Sequence, residues 1–299
     1  MRVATHSGSF HADDVFAIAA LSLLDDAAPL EIVRTRDPQL LAAADVRVDV
    51  GQQDDPSTGD FDHHQRGGAG ERPNGIRYAS FGLVWREHGS RICGGDEVAE
   101  RIDQVLVQGV DANDTGQTIS QPLVDGVAPF TVSHAIAALN PNWDDAASAA
   151  DKRQAFDAAV ELATGILRRE IAAANAQARA AALVRGAIDR AEDPRLIELD
   201  RGMPWHRELI PGAPDALFVV YPREDDWGLQ AVPRQLGEFA NRKDLPESWA
   251  GLSDAELAAA TGVADARFCH IGRFIAVAGS REGALALARQ ALDAPGTNV

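Results

Sequence analysis

Apolar and polar positions alternate with two periods along the first fifty residues. Val3-Ala4-Thr5 is a short apolar run before a polar loop from His6 to Asp14. Val15, Phe16, Ile18, Ala19, Leu21, Leu23 and Leu24 then cover nearly every side of a helix, as expected of one buried against a sheet. Leu30-Glu31-Ile32-Val33-Arg34 predicts a second strand, and 38–44 a helix opened by proline. Val46-Arg47-Val48-Asp49-Val50-Gly51 predicts a third strand, carrying an acid near its C-terminal end. This order implies an α/β fold with a doubly wound parallel sheet and right-handed crossovers. Ligands collect at the C-terminal edge of such sheets.

Further on, Gly67-Gly68-Ala69-Gly70 and Pro73-Asn74-Gly75 predict a flexible loop. Helices are expected over 78–88, 97–107 and 131–139, with a glycine-bounded acidic turn at 109–116. Asn140-Pro141-Asn142-Trp143 marks a break before a long alanine-rich helical stretch, 145–190, with acids and arginines on its open face. That pattern fits a solvated or domain-bridging helix and carries no chemistry. Strands at 217–221 and 229–232 flank an acidic turn, Glu224-Asp225-Asp226. Ser253 and Glu256 have capping-box spacing at the head of a helix. Strands at 267–270 and 274–277 follow, then a final helix over 281–292. The expected division is 1–143, a helical connector 144–194, and a smaller α/β domain 195–299.

Composition narrows the class. No window reaches the roughly 18 uncharged apolar residues of a membrane span, and the N-terminus lacks the apolar run of a secretory signal. Two cysteines, Cys93 and Cys269, form neither a disulfide framework nor zinc spacing. A soluble protein of a reducing, cytoplasmic compartment is expected, with no membrane partner and with homo-oligomerisation left open. The net charge of −17 comes with no basic stripe for a long duplex. A nucleic-acid substrate would be short or engaged at one end, with metal ions supplying much of the attraction for phosphate. The acidity equally suits a protein simply kept soluble by its charge.

Phe61-Asp62-His63-His64-Gln65-Arg66 follows the third strand, so Asp49, Asp62, His63 and His64 fall within sixteen positions. With the N-terminal loop, the candidate metal ligands are His6, His11, Asp13, Asp49, His63 and Asp111, with Asp114 competing for the last place. Mixed imidazoles and carboxylates suit Mn²⁺, with Mg²⁺ as the alternative. Six ligands exceed one four-coordinate site and imply two divalent ions sharing a carboxylate, for which Asp49 is placed best. Spacing of this kind predicts a metal site without fixing a reaction.

Asp62-His63-His64 resembles the signature of the DHH phosphoesterase superfamily, which includes RecJ-type nucleases, oligoribonucleases and family II pyrophosphatases. Asp49 in Val-Asp-Val-Gly is similar to its second motif, and Gly-Val-Asp-Ala-Asn-Asp-Thr-Gly to its fourth. Within it, Thr5 to Asp14 resembles the first motif of the Myg family (melanocyte proliferating gene family) of metal-dependent exonucleases. Further matches run through 78–85, 218–222, 230–233, 245–252 and 280–285. This resemblance implies a DHH-type catalytic domain followed by a substrate-binding one. It assigns one ion to His6, His11 and Asp49, and the other to Asp13, Asp49, His63 and Asp111. Asp62 would orient a histidine, while His64 and Arg66 would face the phosphate. In the C-terminal domain, His270, Arg273, Ser280 and Arg281 would hold substrate, unless Ser280 is merely a helix cap and Arg281 a surface residue.

The expected activity is two-ion hydrolysis of phosphodiester bonds, as an exonuclease on RNA or short oligonucleotides, with catalysis centred on Asp49, Asp62, His63 and His64. Two alternatives remain at this stage. One is a hydrolase of small phosphates such as pyrophosphate or a dinucleotide. The other is a non-catalytic metal or nucleotide sensor, which would have no need for a spare phosphate-facing histidine.

Overall fold

The computed structural model describes residues 1–24 and 29–295, and these form two compact units, Met1–Asn175 and Ala176–Val299. The first unit opens with β1 (Arg2–Thr5), α1 (Ala12–Ser22), β2 (Glu31–Arg34), α2 (Pro38–Ala42) and β3 (Val46–Val48). A short hairpin follows, β4 (Asp54–Asp55) and β5 (Asp60–Phe61), which the sequence pattern does not predict. The sheet runs β2-β1-β3-β5-β4, parallel throughout except for β4 at its edge. Arg47 and Asp60 pair across β3 and β5 and bond side chain to side chain.

Helix α1 is buried from Ala12 to Leu21, and Phe16 lies 5.3 Å from Phe81 on α3 (Ser80–Cys93). It begins at Ala12, and Asp13 and Asp14 lie inside its first turn. There the helix dipole favours negative charge. Helix α4 (Asp96–Ile102) passes through a wide π-type turn at Asp103–Val107 into α5 (Gln108–Asp114). The expected acidic turn at 109–116 is therefore corrected: most of it is helix. Helix α6 (Val132–Ala137) follows.

Helix α7 (Ala149–Arg190) is one 42-residue helix, buried along Phe156, Ala159, Ala163 and Leu167 at helical spacing. The anticipated boundaries at 143/144 and 194/195 flank this helix, whereas the two units divide within it. The second unit adds β6 (Leu196–Glu198), α8 (His206–Gly212), β7 (Phe218–Pro222), β8 (Trp227–Ala231), α9 (Asp254–Thr261), β9 (Ala266–Cys269), β10 (Ile275–Ala278) and α10 (Arg281–Asp293). Its sheet, β6-β7-β8-β10-β9, is parallel only between β6 and β7. Ser253 precedes α9 as expected, but its side chain makes no cap bond. Among the described residues, no helix is long and apolar enough to cross a membrane.

The turn into β5 sets the register of the strand that leads to His63. Gly59 has φ +77°, and a Cβ there would lie 2.4 Å from the Asp45 carbonyl oxygen. A left-handed non-glycine residue costs about 1–3 kcal/mol before any clash. Gly59→Ala should lower the unfolding free energy by at least that amount in a denaturant titration. An unchanged midpoint would show that the turn relaxes freely.

Candidate metal centre

Strand order brings the first ligands together. Thr5 on β1 is level with Val48 on β3, and Val48 with Phe61 on β5. The residues just beyond these strand ends, His6, Asp49 and Asp62-His63, therefore emerge side by side at the C-terminal edge. His6 Nε2 lies 3.3 Å from Asp49 Oδ2, and His63 Nε2 lies 3.3 Å from Asp49 Oδ1. Asp49 has φ +55°, a left-handed backbone uncommon for a side chain this constrained. Its carboxylate also accepts from Ser80 Oγ at 3.1 Å, and its N–H donates to the Phe61 carbonyl.

The remaining ligands come from helices. Asp13 and Asp14 sit in the first turn of α1, fully buried. Asp13 Oδ2 lies 3.9 Å from His63 Nε2, and Asp14 Oδ2 lies 3.4 Å from His6 Nε2. Asp14 also accepts the His11 N–H at 2.9 Å, closing the head of α1. Three sets of ligand atoms each fall within 4.8 Å of one another: His6, His11 and Asp49; Asp49, His63 and His64; His11, Asp13 and Asp114. Asp49 belongs to two of the sets.

One expected ligand is displaced. Asp111 is fully buried, takes the Arg72 guanidinium at 2.8 Å and accepts the Gly82 N–H at 3.0 Å. Gly82 permits this approach, since a Cβ there would meet Asp111 Oδ2 at 1.9 Å. Arg72 also grips Asp103, so Asp111 anchors α5. The acid that reaches the cluster is Asp114, 3.1 Å from His63 Nε2 and 3.9 Å from His11 Nδ1. Asp14, Ser80 and Arg72 escaped the sequence reading. Only tertiary contacts bring them to the cluster or its supports.

Asp62 is buried and accepts from the N–H groups of Gln52 and His64, while His64 Nδ1 lies 2.8 Å from its Oδ1. The His64 ring is half exposed, and Arg66 is exposed. In the second unit, His270 Nδ1 accepts the Gly272 N–H and its ring lies against Phe274. Arg273 meets Asp244 at 3.1 Å. Ser280 Oγ caps α10 by accepting the Gly283 N–H, and Arg281 forms a two-pronged pair with Glu198. For Ser280 and Arg281 these local partners match the structural alternative.

The electrostatics favour a cation. Burial drives Asp13 well above the carboxylate range, and Asp49 and Asp114 add repulsion. Burial and Asp49 push Asp14 up to about 8. Burial would raise Asp49 too, but the His63 and His64 imidazoles beside it hold it below the ordinary range. Burial would lower His63, yet the Asp114 and Asp49 carboxylates beside it lift it to about 10. Asp49 likewise takes His64 to about 9, against burial and with help from Asp62. His6 is lowered by burial against the pull of Asp49, and its Nδ1 lies 3.1 Å from the Ser7 carbonyl oxygen. A carbonyl only accepts, so the proton sits on Nδ1 and Nε2 presents a lone pair, the tautomer of a metal ligand.

Buried polar atoms normally find partners. His6 Nε2, Asp13 Oδ1, Asp14 Oδ2 and His63 Nε2 are buried here without a hydrogen bond. Those atoms, on this donor set, fit divalent cations.

The family model for MYG1 exonucleases, described as an uncharacterised protein family (UPF0160), matches residues 2–292. The chain belongs to this family. It is 34% identical to MYG1 exonuclease of Homo sapiens, covering 97% of this chain and 85% of that relative. A MYG1 protein of Schizosaccharomyces pombe is 31% identical, covering 99% and 98%. One from Chlamydia trachomatis is 33% identical, covering 94% and 92%. Among solved structures, RecJ of Thermus thermophilus in complex with Mn²⁺ aligns with 99% of this chain and about half of its own (52%). Its TM-score is 0.30 at 14% identity, too distant to assign fold or chemistry.

Two predictions separate the acids and the protons of this MYG1-family centre. Asp114→Asn should weaken divalent-ion binding while leaving the ion-free melting temperature nearly unchanged. Asp111→Asn breaks a buried ion pair and should cost on the order of 3 kcal/mol in unfolding free energy. Calorimetry of both variants with and without Mn²⁺ decides, and reversed results would return the ligand role to Asp111. Protons supply the second check. His63 at about 10 and Asp14 at about 8 hold protons at pH 7 that ligation displaces. Ion affinity should rise with pH above 7, and the binding heat should track the buffer's ionisation enthalpy. A heat independent of buffer would contradict this protonation scheme.

Proposed function

We propose that this chain hydrolyses phosphodiester bonds with two divalent cations, Mn²⁺ or Mg²⁺, as an exonuclease on RNA or short oligonucleotides in a reducing compartment such as the cytoplasm. The observation that carries this reading is the set of four buried polar atoms without a hydrogen bond, on His6, Asp13, Asp14 and His63, crowded around Asp49. Relatives named MYG1 exonuclease supply the reaction class. The DHH-type layout, with a catalytic N-terminal and a substrate-holding C-terminal domain, is part of the same proposal.

His6, His11 and Asp49 would hold one ion, and Asp13, Asp49, His63 and Asp114 the other. Ions bound there polarise a phosphoryl oxygen and make hydroxide available at neutral pH. Asp49 serves both sets, and its left-handed backbone aims the carboxylate between His6 and His63. His64 is held through Nδ1 by Asp62, which leaves Nε2 to meet the phosphate. The buried acids repel a polyanion until cations neutralise them, so ion binding would precede substrate binding. Water adds to phosphorus as the P–O bond to the leaving nucleoside breaks, and the departing alkoxide takes up a proton.

The test is a hydrolysis panel with Mn²⁺ comparing pyrophosphate, dinucleotides and RNA labelled at either end. Release of mononucleotides from one labelled end supports the proposal. Turnover of pyrophosphate or dinucleotides alone, which the −17 charge would suit, moves the protein to small-phosphate hydrolysis. No turnover of any substrate leaves a sensor. Asp49→Asn should lose both ions and all turnover. His64→Ala should keep its ions and lose roughly a hundred- to a thousandfold in rate, the worth of one preorganised donor. Metal analysis beside each rate assay would expose the error if His64→Ala also lost its ions.

A further inference from the structure

The loop between His6 and His11 has a second side. Gly8, Ser9 and Phe10 form one wall of an open cavity of about 290 Å³, also lined by Arg34, Trp143 and Lys152. That volume is near the lower end of the about 300–1,000 Å³ of small-molecule sites, room for one nucleotide unit rather than a longer segment. Asn140 ties the wall in place: its Oδ1 accepts the Phe10 N–H and its Nδ2 donates to the Phe10 carbonyl. The cavity thus shares a rigid loop with the candidate ligands His6 and His11.

Its chemistry suits one class of ligand. Trp143 is 96% exposed, an indole with both polar and apolar surface left in water. Buried aromatics of this size are a main source of packing energy, so a fully exposed one is a strong candidate for contact with a planar partner. Lys152 is one of only two lysines in the chain and is exposed in the first turn of α7. Arg34 donates Nη2 to the Gly8 carbonyl and stacks over Phe156 at 4.4 Å, while its Nε is buried without a hydrogen-bond partner. The acid in this wall, Asp145, accepts from the Asn142 N–H and Nδ2, so its charge is already engaged. A flat π surface beside two cations matches a nucleobase with its phosphate.

We infer that this cavity is a nucleotide subsite, in which Trp143 stacks on a base of single-stranded nucleic acid and Lys152 and Arg34 hold the adjoining phosphate. The inference rests on the phosphodiesterase reading above and adds a specificity determinant to it. Stacking on one aromatic tolerates any base but needs an unpaired one. The subsite therefore selects single strands without selecting sequence.

The test uses the full chain with Mn²⁺, a single-stranded tetranucleotide and its abasic counterpart. Wild type should prefer the base-bearing strand in kcat/KM. In Trp143→Ala that preference should collapse by roughly five- to a hundredfold, and Trp143→Phe should restore most of it. Lys152→Ala should make the dependence of log KM on log salt shallower by about 0.7, one single-strand phosphate contact. An unaltered preference in Trp143→Ala, or an equal loss on both strands, overturns the subsite. Cleavage of neither strand by wild type overturns the phosphodiesterase reading and the subsite with it. Melting temperatures of each variant confirm that all are folded.

Discussion

The first unit is built around the burial of negative charge at Asp49. Asp13, Asp14, Asp49 and Asp62 are all at most 4% exposed, and Asp114 closes the group. Nearby guanidinium groups are engaged elsewhere, Arg47 with Asp60 and Arg72 with Asp103 and Asp111. Imidazoles are the main counter-charges left, and His63 and His64 hold protons more tightly than usual because of it. An uncompensated buried ion costs several kcal/mol. The left-handed backbone at Asp49 adds about 1–3 kcal/mol. In such an arrangement protons on the imidazoles offset the buried carboxylates, and divalent cations bound there would displace them.

Topology makes that burial achievable. The order β2-β1-β3 sets β1 beside β3, and the chain leaves their C-terminal ends in different directions. A gap opens there, and such gaps in α/β sheets take ligands. Adding β5 on the far side of β3 brings a third strand end to the same place. Helix α1 then lays its first turn over the gap, with Asp13 and Asp14 at the positive end of its dipole. Because α1 is apolar on every other side, it is fixed by packing rather than by its polar end. The ligands are thus positioned by a hydrophobic element that contributes no chemistry along most of its length.

What was legible in the sequence was whatever depends on short-range periodicity. The runs at Val3, Ile32 and Val46 give the first three strands, and the residues that follow the first and third supply His6 and Asp49, while His63 stood out only through the Asp62-His63-His64 run. Asp114 was not distinguishable from Asp111, because the choice depends on Arg72, 39 positions before Asp111. Gly109 and Gly116 read as turn punctuation, yet the π-type turn at Asp103–Val107 carries the helix through the first of them. Strand β6 spans only three residues and α8 contains Pro211, so neither has enough pattern to be recognised. The β4–β5 hairpin uses two-residue strands whose pairing is purely tertiary.

Net charge and proposed substrate are at first sight opposed, since a chain of −17 is asked to approach a polyanion. Screening removes most of the conflict. At physiological ionic strength, exposed charges more than about 8 Å away are largely neutralised by salt. A phosphate entering the centre would respond to its immediate surroundings, where bound cations would offset the buried carboxylates and Lys152 and Arg34 flank the neighbouring cavity. A long duplex differs, because it would lie along the acidic surface for many Debye lengths without a matching row of basic residues. Under the proposed function, the same charge would discourage lateral binding of a helix, while a single-stranded end would answer only to what lies within one screening length of it.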